Sequence, residues 1–197
     1  MDHIASLESK ISAYYNAPYA VYTLSCTHSM DLCLSYLNVN NLICPKNTSL
    51  NIPLLLMKKG ISYTLDLIQW EKYYTLGNSK IIDAAVYWQQ NGYIAGSLMC
   101  LSFQNRKHIS AGGGGMILTD DMSESLALRQ LRDNALSYMD QRTLDFYYNK
   151  AEQADLIFDQ VRDITPKLVT YEHYQDVSTL ISKKAQFYLA GLDELSY

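Results

Sequence analysis

The chain has 197 residues, of which 48% are apolar and 18% charged, with a formal charge of −4 at neutral pH. This composition excludes a disordered polymer, and the length suffices for one sizeable core. The acidic balance, without a basic stripe, argues against a nucleic-acid partner bound through its phosphates, and no apolar run approaches the roughly 20 residues of a membrane span. The start, Met1-Asp2-His3-Ile4-Ala5, lacks the charged and apolar regions of a signal peptide. Cys26, Cys33, Cys44 and Cys100 have no CxxC spacing, so they read as small buried residues in a reducing compartment, with no metal site expected. The expectation is a cytoplasmic globular protein.

Residues 4–15 place apolar side chains at 4, 7, 11, 14 and 15, one face of a helix, with Glu8 and Lys10 outward. The segment 16–18 ends it, because Pro18 disfavours helical backbone in the residue before it. The apolar, β-prone run 19–24 predicts a buried strand, which leads through Ser25-Cys26-Thr27-His28-Ser29 into a helix over 30–37. Hydroxyl residues there read either as an ordinary N-cap or as an anion site made by free N–H groups and the helix dipole. A short strand over 42–45, a helix over 52–59 stopped by Gly60, and a strand over 61–66 follow. The charged, aromatic bridge 69–74 is expected as a short surface helix. Residues 81–83 form a strand ending in the carboxylate of Asp83, with Ala84 and Ala85 permitting close packing behind it.

Next come an apolar strand over 98–103, a polar segment carrying Lys107, four glycines at 112–115, and a second apolar run at 116–118. The glycines allow positive φ and close backbone approach, so the two strands can return side by side and present an amine at a sheet edge. No Gly-Lys-Ser/Thr follows them, which excludes a P-loop. Helical spacing resumes over 123–134 and 144–161. A linker or short strand is expected at 171–174 and a third helix over 176–192.

This arrangement resembles the DegT/DnrJ/EryC1/StrS family of pyridoxal-phosphate (PLP) sugar aminotransferases. Ser102-Phe103-Gln104-Asn105-Arg106-Lys107-His108-Ile109, followed by Gly112-Gly113-Gly114-Gly115-Met116, is similar to the family's Ser-Phe-His-x-x-Lys-x-Ile run and its Gly-Glu-Gly-Gly-Met turn. Ile82-Asp83-Ala84-Ala85 resembles its Glu-Asp-Ala-Ala, and Ser25-Cys26-Thr27 its Ser-Gly-Thr phosphate turn. Leu131-Arg132-Asp133-Asn134 resembles its Leu-Arg-Asn-His. The departures are Cys26 for glycine, Ser49 where an aromatic stacks on the cofactor ring, Val86 for His or Gln, and Gly113 for glutamate. About one β–α unit is missing between 67 and 79.

The resemblance implies a fold-type-I PLP-transferase-like α/β fold, a mostly parallel sheet flanked by helices with a truncated C-terminal helical part. Residues 1–165 would be the reduced PLP-binding domain and 166–197 the remnant of the small domain. Lys107 would carry the cofactor, Asp83 would pair with its pyridinium nitrogen, and Ser25, Cys26, Thr27 and Ser102 would line its phosphate. The implied activity moves an amino group from a donor such as glutamate to a keto-sugar on a nucleotide, in a homodimer. The sequence motive for a dimer is an excess of aromatic helix surface for so short a chain, with Phe146, Tyr147, Tyr148, Phe158, Phe187 and Tyr188 expected to be left uncovered. For the stacking face, His28 or a distant tyrosine is the available substitute. The alternative reading is a degenerate homologue that binds PLP, or keeps only the scaffold as an interaction module.

Overall fold

The computed structural model describes residues 2–178, 180 and 181. Its centre is a five-stranded sheet in the order β1-β7-β6-β5-β4. The strands are β1 (Tyr19–Thr23), β4 (Tyr74–Thr75), β5 (Ile81–Asp83), β6 (Leu98–Ser102) and β7 (Gly115–Thr119). β2 (Asn41–Pro45) and β3 (Ser62–Asp66) pair in parallel as a separate ribbon.

β1, β5 and β6 share a direction, whereas β7 runs against both of its neighbours and β4 against β5. The sheet is therefore mixed: most of its strands point one way, yet β5 with β6 is its parallel neighbour pair. The β6–β7 pairing, Ser102 opposite Gly115 and Met99 opposite Leu118, is the close return that the glycine run anticipated.

The inner strands are buried on both faces, which is why they read as continuous apolar runs. Alternate side chains part to two cores. Tyr22, Ile82, Met99, Leu101, Met116 and Leu118 enter one, beneath α1 (His3–Tyr15) and α5 (Gln141–Val161). Val21, Ile81, Leu98, Cys100 and Ile117 enter the other, with α2 (Cys26–Tyr36), α3 (Asn51–Lys58) and α4 (Met122–Ser137).

All the described α-helices except α3 start on side-chain caps. Asp2 accepts from the N–H groups of Ile4 and Ala5, Asp121 from Ser123 and Glu124, and Asp140 from Thr143. α1 ends at Asn16, which takes the left-handed conformation at φ 58°. Two polar clusters fasten helices to the body. Asp155 on α5 accepts from His3 Nδ1 and Ser6 Oγ, both at 2.9 Å, and pairs with Lys10 at 2.9 Å. Glu8 accepts from the Tyr22 N–H at 2.7 Å and pairs with Arg129 and Arg132 of α4.

Three expectations are corrected. The bridge 69–74 is not helical, and it lies only partly on the surface: Gln69, Glu71 and Lys72 are exposed, whereas its two largest rings are not. Lys72 sits at φ 65°, Tyr74 pairs into the sheet opposite Asp83, and Trp70 and Tyr74 are only 6% and 5% exposed. Its two large rings gain more by burial than a surface turn of helix would return. Glu8, expected to face outward, is buried at 8% exposure, while Tyr171–His173 form a single 3₁₀ turn within the expected linker. Tyr147 and Phe158, expected among uncovered aromatics, fill the α1–α5 core, whereas Phe146 and Tyr148 are exposed; Phe187 and Tyr188 lie outside the described residues. So does most of the expected helix 176–192 and of the segment 166–197. Among the described residues, no helix is long and apolar enough to cross a membrane.

Candidate active site

Because β1, β5 and β6 point the same way, their carboxyl ends share one edge of the sheet, and β7 begins there. Ser25 follows β1, Asp83 ends β5 and Ser102 ends β6. A crevice at the carboxyl ends of such strands is where α/β folds place ligands. It holds a cavity of about 350 Å³ lined by all six residues singled out from the sequence, Ser25, Cys26, Thr27, Asp83, Ser102 and Lys107.

Gly115 explains how the phosphate-turn candidate comes so close to the lysine loop. A Cβ there would lie 2.5 Å from the Cys26 nitrogen, so the start of β7 can pass under the first turn of α2 only without a side chain. Ser25 caps that turn by accepting from the His28 N–H at 3.1 Å. The ordinary-cap reading is thus satisfied, and the anion reading is compatible with it, because one cap leaves other first-turn N–H groups to serve a ligand. The ring of His28 turns back, its Nδ1 accepting from the Leu24 N–H at 3.4 Å, and it does not line the cavity.

Asp83 is 8% exposed and held from two sides. The Tyr74 hydroxyl donates to Oδ2 at 2.6 Å and the Ala85 N–H to Oδ1 at 3.0 Å. Tyr74 also meets Thr48 Oγ1 at 2.5 Å, so Thr48, Tyr74 and Asp83 form a buried hydroxyl–phenol–carboxylate chain. Burial raises the Asp83 pKa above the ordinary carboxylate value, against the opposing effects of the Tyr74 and Ala85 hydrogen bonds and the Lys107 charge. A cation beside it would relieve that cost.

Lys107 stands on the loop between β6 and β7, with its N–H donating to the Gln104 carbonyl at 3.0 Å. Its amine makes no hydrogen bond or ion pair among the described residues, although it lies near enough to act electrostatically on Asp83 and Cys26. Burial pushes the Cys26 thiol well above its ordinary pKa, with Asp83 adding to the effect, so this cavity cysteine is a poor nucleophile.

The departures have structural counterparts. The space a Gly113 side chain would need is taken by Phe146, whose Cζ would lie 2.5 Å from an added Cβ. Ser49 and Val86 line the cavity and bring no ring to it. Aromatic surface comes from elsewhere, namely Trp70, Tyr74, Phe146 and Tyr174. The sequence allowed for a distant tyrosine without singling out Tyr74 or Tyr174, and it gave Trp70 and Phe146 no place here; the one local signal was the Trp70/Tyr74 pair in a stretch taken for surface.

The residues fit PLP by their own chemistry. They offer an unpaired amine, a buried carboxylate that gains from a facing cation, hydroxyls at a helix N-terminus, and room for a flat ring. The sequence model of the DegT/DnrJ/EryC1/StrS aminotransferase family matches residues 83–151, the segment that holds Asp83 and Lys107. No curated protein sequence matches the chain. Among solved structures, DesI with its TDP-sugar product is similar at a TM-score of 0.60 and 15% identity, over 80% of this chain and 53% of that one. A sugar aminotransferase of Streptococcus pneumoniae, so described, in its PLP form, is similar at 0.59 and 14%, over 80% and 60%. GDP-4-keto-6-deoxymannose-3-dehydratase with bound GDP-perosamine is similar at 0.58 and 12%, over 81% and 62%. The chain thus spans little more than half the length of these structures, and their likeness establishes the PLP-aminotransferase fold.

Proposed function

We propose, from the family match over residues 83–151, that the chain forms the PLP site of an enzyme that transfers an amino group to a keto-sugar carried on a nucleotide. The observation that carries this reading is the meeting, in one cavity, of an unpaired Lys107 amine and a buried Asp83 carboxylate. When bound, PLP supplies an electron sink for carbanionic charge.

The residues divide the remaining work. Lys107 is the nucleophilic amine that holds the cofactor and afterwards moves a proton at the reacting carbon. Asp83 keeps the ring nitrogen protonated, a charge-assisted contact strengthened by its withdrawal from water. Tyr74 and the Ala85 N–H fix the carboxylate so that it does not reorganise during the reaction. Ser25, Thr27 and Ser102 offer hydroxyls, and the start of α2 its dipole, to the phosphate.

The sugar-nucleotide substrate and an amino-acid donor are supported by the family match and by what the neighbouring structures hold. Exposed Phe146 and Tyr148 on α5, with Leu126 on α4, supply the kind of apolar surface that a second copy would cover, which favours a homodimer. The test is a spectrum of the purified chain with added PLP, then addition of glutamate. A new visible band that glutamate bleaches, with 2-oxoglutarate released, is expected for an aminotransferase. A band that glutamate leaves unchanged supports binding without turnover, and no band at all removes the proposal.

A further inference from the structure

We infer that Tyr174, delivered by residues 169–177, is a binding residue of the cofactor cavity, where with Trp70 it provides the aromatic surface that the residues after Pro45 do not. The inference rests on the PLP reading above. Thr48, Ser49 and Asn51 reach the cavity from that loop, and all three are small and polar.

The segment that bears Tyr174 is fastened to both loops that rim the cavity. The Lys72 N–H donates to the Val169 carbonyl at 2.8 Å and the Tyr171 N–H to the Trp70 carbonyl at 3.0 Å. Asn47 Nδ2 donates to the Tyr174 carbonyl at 2.8 Å, and the Val177 N–H to the Lys46 carbonyl at 2.9 Å. Trp70 Nε1 donates to the Asn47 carbonyl at 2.9 Å, which ties the two rims to each other. Tyr174 is thereby held in place as part of the wall.

Its ring lies 5.3 Å from that of Trp70, centre to centre, tilted by 54°, and Trp70 lies 5.3 Å from Tyr74. Aromatic pairs at such separations leave faces and edges for a further flat ring. Burial, with the charge of Asp83 behind it, pushes the phenol up to about 12, so it is neutral at ordinary pH. Its hydroxyl makes no hydrogen bond among the described residues. A neutral ring beside Asp83, without a structural hydrogen bond to explain it, suits contact with a planar cationic ligand.

The experiment is a PLP titration of the intact chain, read by the visible absorption and circular dichroism of the bound cofactor, with melting curves of each apo variant. Tyr174→Leu is expected to weaken binding about threefold to tenfold and to alter the dichroic band, whereas Tyr174→Phe stays within about twofold of wild type. Asn47→Ala, which frees the Tyr174 carbonyl without entering the cavity, should shift binding in the same direction even if Tyr174→Leu folds poorly. Unchanged affinity and band in Tyr174→Leu overturn the inference while leaving the PLP reading intact. Equal losses in the Leu and Phe variants also overturn it, since they would assign the effect to the hydroxyl. A wild-type chain with no cofactor band defeats the PLP reading and this inference together.

Discussion

The hydroxyl of Tyr74 stands 2.6 Å from Oδ2 of Asp83, joining β4 to the end of β5 inside the protein. Tyr74 is the donor, because burial and the adjacent carboxylate raise its pKa well above the ordinary phenol value. The bond stabilises the ionised carboxylate, so Tyr74→Phe should make Asp83 titrate at a higher pH, observable by ¹³C NMR of labelled aspartate in the apo protein. The amino-transfer half-reaction should slow on the order of tenfold, equivalent to about 1.4 kcal/mol, less than the usual worth of a hydrogen bond to a charged group. An unmoved Asp83 titration in Tyr74→Phe would show that the hydroxyl does not support the charge.

Asp83→Asn separates binding from chemistry. The amide keeps the shape and removes the charge that holds a ring nitrogen protonated, so PLP should still bind and colour the protein. Half-transamination by glutamate should fall by roughly a hundredfold, about 3 kcal/mol, as for other lost electrostatic groups. The apo protein should gain from the same change. The folded pKa of Asp83 is raised, so its favourable contribution is complete below the unfolded carboxyl value and is lost as pH rises through the folded one. At neutral pH Asp83→Asn should therefore melt a few degrees higher than wild type, and the difference should vanish on acidification. Equal melting temperatures at pH 7 would remove the proposed strain.

Gly115→Ala probes the seam between β7 and α2. A Cβ there would sit 2.5 Å from backbone atoms of Ser25 and Cys26, which cannot swing away as a side chain can. The expected cost is about 1–3 kcal/mol in chemical denaturation, with weaker retention of inorganic phosphate or PLP because the first turn of α2 is displaced. Stability and ligand affinity both equal to wild type would show that this approach is not tight.

Asp155 ties α1 to α5 far from the cavity. Burial raises its pKa, yet the hydrogen bonds from Lys10, His3 and Ser6 outweigh burial and leave it below the ordinary value. Its contribution to stability is therefore present above the unfolded carboxyl pKa and lost as pH falls through the lower folded one. Asp155→Asn should cost about 1–3 kcal/mol at pH 7 and leave cofactor affinity alone. Loss of affinity without loss of stability would contradict this division of roles.

Much of the site was legible because it is local. Ser25, Asp83 and Ser102 each stand where an apolar run stops, and strands of one direction bring such stops to one edge. Lys107 was marked by its place between a strand and a glycine return. What escaped depends on distant pairing. Tyr74 acquires its role by lying opposite Asp83, and Tyr174 by the reach of Asn47 and Lys46 across more than a hundred residues. Glu71 and Lys72 give 69–74 the look of a solvated helix, and no local pattern reveals that Trp70 is buried beneath a segment a hundred residues later. The return of β7 beside β6 was announced by the glycine run, but its pairing with β1 was not, since a strand buried on both faces does not show in its composition which second neighbour it takes.

The central claim is that Lys107 is the amine that carries PLP. Borohydride reduction of the PLP-loaded chain, followed by proteolysis and mass mapping, tests it directly. A single pyridoxyl group on the peptide containing Lys107, absent in Lys107→Ala, is the predicted result. Modification of Lys150 or another lysine with Lys107 untouched, or no stable label on a chain that retains its fold, would contradict it.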